Sequence, residues 1–194
     1  MNENMKHILS LLDNYENSNR YYSVKKDFSN PKYLNAEMCE KCKGICCISS
    51  GCLISPDDFN LKECFDNEKL NYNKAYNILM SEIKKGYISI EKIDGDTIYL
   101  TNRIVYILHI RDINSPISVS LIKPKHSPCC LLSKTGCAFS YEDRPTGGKM
   151  LIPNFPQCHN DYDLRDCCRE WLPFQPVLYD LYNFFKGHNT KCSV

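Results

Sequence analysis

The chain has 194 residues, 13 of them cysteine, with a net charge of +1 and a pI near 7.4. An odd cysteine count excludes complete internal disulfide pairing, and a near-neutral balance without a run of Lys or Arg argues against a nucleic-acid domain. Val, Ile, Leu and Phe supply about a quarter of the residues, above the roughly 20% of disordered chains, so the chain can bury a core without staples and its cysteines need another explanation.

The N-terminal stretch MNENMKHILSLLDNYENSN lacks the apolar core of a signal peptide. Ile8, Leu12 and Tyr15 share a face there, which predicts a helix over 3–17. No apolar run approaches the roughly 18 residues of a membrane span. We expect a cytoplasmic protein with neither membrane nor nucleic acid as partner. Residues 18–38 are polar and aromatic without a period. Ser55-Pro56-Asp57-Asp58 is a helix start: Ser caps, Pro suits the first position, and the acids favour the positive end of the dipole. That helix should be short. A longer one is expected over 68–85, with Tyr72, Ala75, Leu79 and Ile83 on one stripe and Gly86 as its stop.

The pattern then changes period. Tyr87–Ile90 alternates, Asp94-Gly95 suits a tight type I′ turn, and Thr97–Leu100 follows, which predicts a hairpin. Arg103–Ile110 and Ile117–Leu121 add β-formers, so three or four half-buried antiparallel strands are expected. Asp161–Trp171 reads as helical. So does 174–186, with Val177, Leu178, Leu181 and Phe185 apolar and Gly187 ending it. The expected fold is α+β: helices at both ends, a small antiparallel sheet in the middle, and cysteine-rich loops gathered around metal. Residues 1–194 read as one cysteine-cluster metal-binding domain, with no linker, repeat or low-complexity tract.

Six cysteines fall in 39–64, three in 129–137, three in 158–168, and Cys192 stands near the end. In the reducing cytoplasm such clusters read as metal-binding or catalytic. The densest is Cys39-Glu40-Lys41-Cys42-Lys43-Gly44-Ile45-Cys46-Cys47. A C-x2-C step lets one turn bring two thiolates to an ion, and Gly44 can take the left-handed conformation of that turn. Lys41 and Lys43 would offset the charge of several thiolates. Adjacent cysteines point to opposite faces of an extended chain. Cys46-Cys47, Cys129-Cys130 and Cys167-Cys168 therefore feed two sites, or ligate with one member and pack with the other. The order C-x2-C-x3-C excludes a radical-SAM loop, Ile45 excludes a bacterial ferredoxin run, and no H-x3–5-H pair supports a zinc finger.

Further along stand Cys129 with Leu132, Gly136-Cys137, and Tyr141 with Arg144-Pro145. With the first cluster, these residues resemble the YkgJ-type zinc- or iron-chelating family, whose pattern is CxxCxxCC, a Cys before Leu or aromatic residues, Gly-Cys, and Tyr-x-x-Arg-Pro. The resemblance runs over residues 39–145. This chain departs from it by one extra residue before Cys46-Cys47 and one between Cys137 and Tyr141. Gly148 stands where many relatives carry another Cys, and Cys158 is a candidate to supply that thiolate.

The resemblance implies chelation of zinc or iron. Cys39, Cys42, Cys46, Cys47, Cys52, Cys129, Cys137 and Cys158 are the expected ligands, enough for two four-ligand sites. Cys64, Cys167, Cys168 and Cys192 are expected to pack or to be spare, with Cys130, Cys167 and Cys168 as reserve ligands. His126 and His159 are read as surface residues, and Arg144 as the anchor of a loop through its hydrogen bonds. Three functions compete. The first is a protein that binds zinc or an iron–sulfur centre. The second is an iron–sulfur-dependent protein-modifying enzyme, since flagellin lysine N-methylases carry a similar cluster. The third is a thiol-redox protein exchanging through Cys46-Cys47. An enzyme would need a pocket beside the cluster.

Overall fold

The structure is a computed structural model that describes residues 21–33, 51–94, 104–111, 129–134, 136–154 and 158–186. Residues 21–30 are irregular and run into a 3-10 turn, Pro31–Tyr33. Ser55 caps a second 3-10 turn, Pro56–Phe59, as its sequence predicts. Its Oγ accepts the N–H of Asp57 at 3.2 Å, and the Asp58 carboxylate accepts the Ser55 N–H at 2.8 Å. This reciprocal box satisfies donors that a helix start otherwise leaves open. A further 3-10 turn, Leu61–Cys64, leads into a tight hairpin of β1 (Phe65–Asp66) and β2 (Lys69–Leu70). Its two linking residues, Asn67 and Glu68, both have positive φ, 46° and 65°. That is the type I′ geometry that matches strand twist.

The hairpin shortens the following helix. Lys69 and Leu70 pair with β1, so α1 spans Tyr72–Ile83 rather than 68–85, and the Asn71 side chain caps it by accepting the Lys74 N–H at 3.0 Å. The expected stripe holds: Ala75, Leu79 and Ile83 are completely buried. Each fully buried Leu or Ile stabilises by about 1.5–3 kcal/mol. Gly86 ends the helix at φ 90°, its N–H donating to the Ile83 carbonyl at 3.0 Å.

The main sheet differs from the expected hairpin. β3 (Ile88–Asp94) pairs antiparallel with β4 (Ile104–Ile110), from Ile88 opposite Ile110 to Asp94 opposite Ile104. Asp94-Gly95 therefore does not join β3 to its partner by a two-residue turn. A seven-residue ladder to the apolar run IVYILHI outweighs the local turn signal. Nor is β4 half-buried: Val105 to Ile110 are all buried. Its outer edge is closed as well. The Gln175 side chain brackets Tyr106, accepting its N–H and donating to its carbonyl, both at 2.8 Å. Beyond it, Ile54 N–H donates to Leu108 at 3.1 Å and Ile110 N–H donates to Cys52 at 2.9 Å.

Short elements complete the chain. They are β5 (Leu132–Ser133) with β6 (Gly136–Cys137), the single turn α2 (Thr146–Lys149), β7 (Leu151–Ile152) with β8 (His159–Asn160), α3 (Leu164–Trp171) and α4 (Gln175–Lys186). Asp163 caps α3 by accepting the Asp166 N–H at 2.9 Å. α3 and α4 both pack on β4, and α4 also meets α1 and β3. Trp171, Phe174, Val177, Leu178 and Leu181 are completely buried at this junction. The fold is α+β, with its described helices concentrated towards the C-terminus. The predicted helix over 3–17, Thr97–Leu100 and Ile117–Leu121 lie outside the described residues. Among those described, no helix is long and apolar enough to cross a membrane.

Candidate metal centre

Of the eight expected ligands, Cys39, Cys42, Cys46 and Cys47 lie outside the described residues. Cys52 is the first that can be placed. Gly51 before it has φ 72°, and a Cβ there would meet the Ile110 carbonyl oxygen at 2.2 Å. Only glycine lets the chain lie this close to β4. Leu53 forms a bridge with His109 on one side and accepts the Gly147 N–H at 3.0 Å on the other. Gly147 is again required, because a Cβ would lie 2.7 Å from the Leu53 oxygen. A Cβ at Gly148 would come 3.2 Å from Cys52 Sγ and 3.1 Å from Arg144 Cβ. The Cys52 sulfur thus lies against bare backbone at Gly148.

The second group is built by the turn around β5 and β6. Cys129 is buried, and its carbonyl accepts the Leu132 N–H at 3.0 Å. Gly136 takes φ 115° to return the chain, and Cys137 then pairs with Leu132. Cys130 Sγ lies 3.9 Å from the Tyr87 carbonyl, and the Phe139 ring stands edge-on to Tyr87 at 5.9 Å. That same carbonyl accepts the Arg111 N–H at 3.0 Å. Cys52 and the Cys129–Cys137 turn therefore converge on one end of the β3–β4 sheet, at Tyr87 and Ile110–Arg111. Cys158 lies just before β8. Asn160 in that strand donates to the Gly147 carbonyl at 3.0 Å, tying it to the turn that contacts Cys52.

The described candidates do not form a centre by themselves: among the described residues, no three His, Cys, Asp or Glu are placed to hold a metal. Cys64, Cys167 and Cys168 are buried in the core, as is the expected ligand Cys129, whereas Cys130 is half-buried. Burial and then the neighbouring Cys168 push the Cys167 thiol well above its ordinary value. Burial pushes Cys168 up to about 12. Such thiols stay protonated and pack, as expected. His159 is exposed, and His126 and Cys192 lie outside the described residues.

Two buried polar clusters were not legible in the sequence. Glu170, 1% exposed, accepts four hydrogen bonds: Val24 N–H and Lys26 Nζ at 2.7 Å, Ser55 Oγ and Tyr162 OH at 2.6 Å. Lys26 also meets Asp57 at 2.5 Å. The second lies on the sheet, where Glu91 Oε1 is 2.8 Å from His109 Nδ1 and 3.0 Å from Arg111 Nε, all three residues buried. Each cluster joins residues from distant segments, so no local motif announces it.

Arg144 Nε is buried without a hydrogen-bond partner among the described residues, and the guanidinium lies over the Tyr141 ring, 5.9 Å from its centre. The loop is held by Tyr141 OH, which donates to the Lys149 carbonyl at 3.0 Å, and by Thr146, whose N–H and hydroxyl both donate to Asp58. Arg144 lines a cleft of about 800 Å³ between the 23–28 segment, the Pro56–Phe59 turn, α1, one end of the sheet and the 139–149 loop. No protein family, curated protein or solved structure matches the chain.

Proposed function

We propose that the chain is a thiolate metal-binding protein. Zinc or an iron–sulfur centre would be held by Cys39, Cys42, Cys46 and Cys47, with further thiolates from Cys52, Cys129, Cys137 and Cys158. The observation that carries this reading is the convergence of Cys52 and the Cys129–Cys137 turn on one end of the sheet, with the four-cysteine cluster ending five residues before Cys52. The motif order that resembles the YkgJ-type family supports it.

The test is purification without oxygen, followed by metal and sulfide analysis and a visible spectrum. A brown protein with iron and sulfide identifies a cluster, whereas a colourless one with zinc identifies a structural site. Cys39→Ser and Cys137→Ser should each lower metal content, while Cys168→Ser should leave it unchanged. A metal-free protein with native stability would remove the reading. A second reading, an iron–sulfur-dependent protein-modifying enzyme, is favoured by the cleft, whose Arg144 stands beside Cys52.

A further inference from the structure

Two cations of the cleft lining, Arg144 and Lys149, have no ion pair among the described residues, against three acids, Asp58, Glu142 and Asp143, of which the last two are exposed. The inner acids of the cleft are occupied. Asp57 accepts from Tyr21, Ser23 and Lys26. Asp58 accepts from Ser55 and Thr146. Lys85 donates to Glu82 at 2.5 Å. Glu142 and Asp143 are exposed at the rim. Two cations lack such partners. Arg144 carries a buried Nε–H with no acceptor among the described residues. Lys149 forms no ion pair among them, and its Nζ stands 5.5 Å from the centre of the Phe28 ring. A buried donor without an acceptor is unfavourable, and an anion supplied from outside would relieve it. The walls between these cations are aromatic: Phe28, Phe59, Tyr87 and Phe139. A volume of about 800 Å³ falls within the range of small-molecule sites.

We infer that this cleft binds a small organic anion, a carboxylate or phosphate on an apolar body. Its charged group sits on Arg144 and Lys149, and its body lies among the four aromatic rings. The inference does not depend on the metal reading, since every group that it uses lies in the described fold.

The probes are phenyl phosphate, phenylacetate and the neutral phenylethanol, titrated into the full chain as purified, with calorimetry and amide chemical shifts as readouts and metal content measured in parallel. One of the two anions should bind at least roughly 10-fold more tightly than the alcohol and shift the amides of Phe139, Thr146 and Lys149. The tighter anion identifies the head group. Arg144→Gln should weaken that anion by roughly 10-fold or more, the range for a lost charged hydrogen bond, with the circular dichroism unchanged. Should Arg144→Gln fail to fold, Lys149→Gln supplies the same comparison on the exposed side of the site. Equal binding of the alcohol, no binding of either anion, or shifts confined to other surfaces would overturn the inference. So would an Arg144→Gln protein that binds the anion normally but loses metal, since Arg144 would then be serving the thiolates.

Discussion

Glu170→Gln tests the account of how the N-terminal segment is held. The carboxylate accepts four hydrogen bonds of 2.6–2.7 Å from two sides. A Gln amide has one acceptor oxygen and a donor NH2. If the oxygen faces Ser55 and Tyr162, the NH2 confronts Lys26 and the Val24 N–H. If it is reversed, two hydroxyls must reorganise. Breaking a buried ion pair and leaving its partner behind costs about 3–5 kcal/mol. Lys26 retains Asp57 at 2.5 Å, so the lower end applies, about 3 kcal/mol. For a chain of this size each kcal/mol lowers the melting temperature by about 2–4 °C, which gives a fall of about 6–12 °C. In urea the midpoint should drop while the slope stays constant, because the surface exposed on unfolding is unchanged. Lys26→Met in the Glu170→Gln background should cost less than the sum of the single changes, since the stranded ammonium is then gone. A melting shift below about 2 °C, or strictly additive losses, would refute the ion-pair reasoning.

Two other perturbations follow from the same geometry. Gly51→Ala forces a Cβ to within 2.2 Å of the Ile110 oxygen at φ 72°; it should destabilise by at least about 2 kcal/mol, since the left-handed conformation alone costs roughly 1–2. Gly136→Ala, at φ 115° with nothing within 4 Å, should cost less, and equal melting shifts for the two would contradict the contact argument. On acidification, Asp57 should contribute to the loss of stability. Burial opposes its ionisation, but hydrogen bonds from Lys26, Ser23 and Tyr21 outweigh burial and hold its carboxyl below the ordinary 3.8. Its contribution is therefore present above the unfolded value and lost as pH falls through the lower folded one. Asp58, raised by burial, works in the opposite direction. Asp57→Asn should flatten the decline in stability below about pH 4, and unchanged acid limbs would rule this out.

What the sequence makes legible is what local chemistry decides. The Ser55 cap, the Ala75–Leu79–Ile83 stripe and the C-terminal helix with Val177, Leu178 and Leu181 depend on residues three or four apart. The failures are long-range. Asp94-Gly95 carries a stronger turn signal than Asn67-Glu68, yet the type I′ turn forms at Asn67-Glu68. β3 is claimed by a distant apolar strand, and the start of α1 is lost to a two-residue ladder that periodicity cannot see. At the candidate centre, spacing gives no sign that Arg144 Nε lacks an acceptor, or that Glu170 gathers donors from residues 24, 26, 55 and 162.

The closure of β4 has a consequence for solubility. Ile104–Ile110 is a seven-residue, uncharged, β-prone run, the composition of segments that template intermolecular pairing. Its outer groups are covered by the Gln175 amide and by residues 52–54 rather than by a neighbouring named strand. Any event that peels residues 52–54 away leaves the Leu108 and Ile110 backbone open beside exposed isoleucine and leucine. Whatever anchors the cysteine segment therefore also guards the chain against self-association through its own sheet.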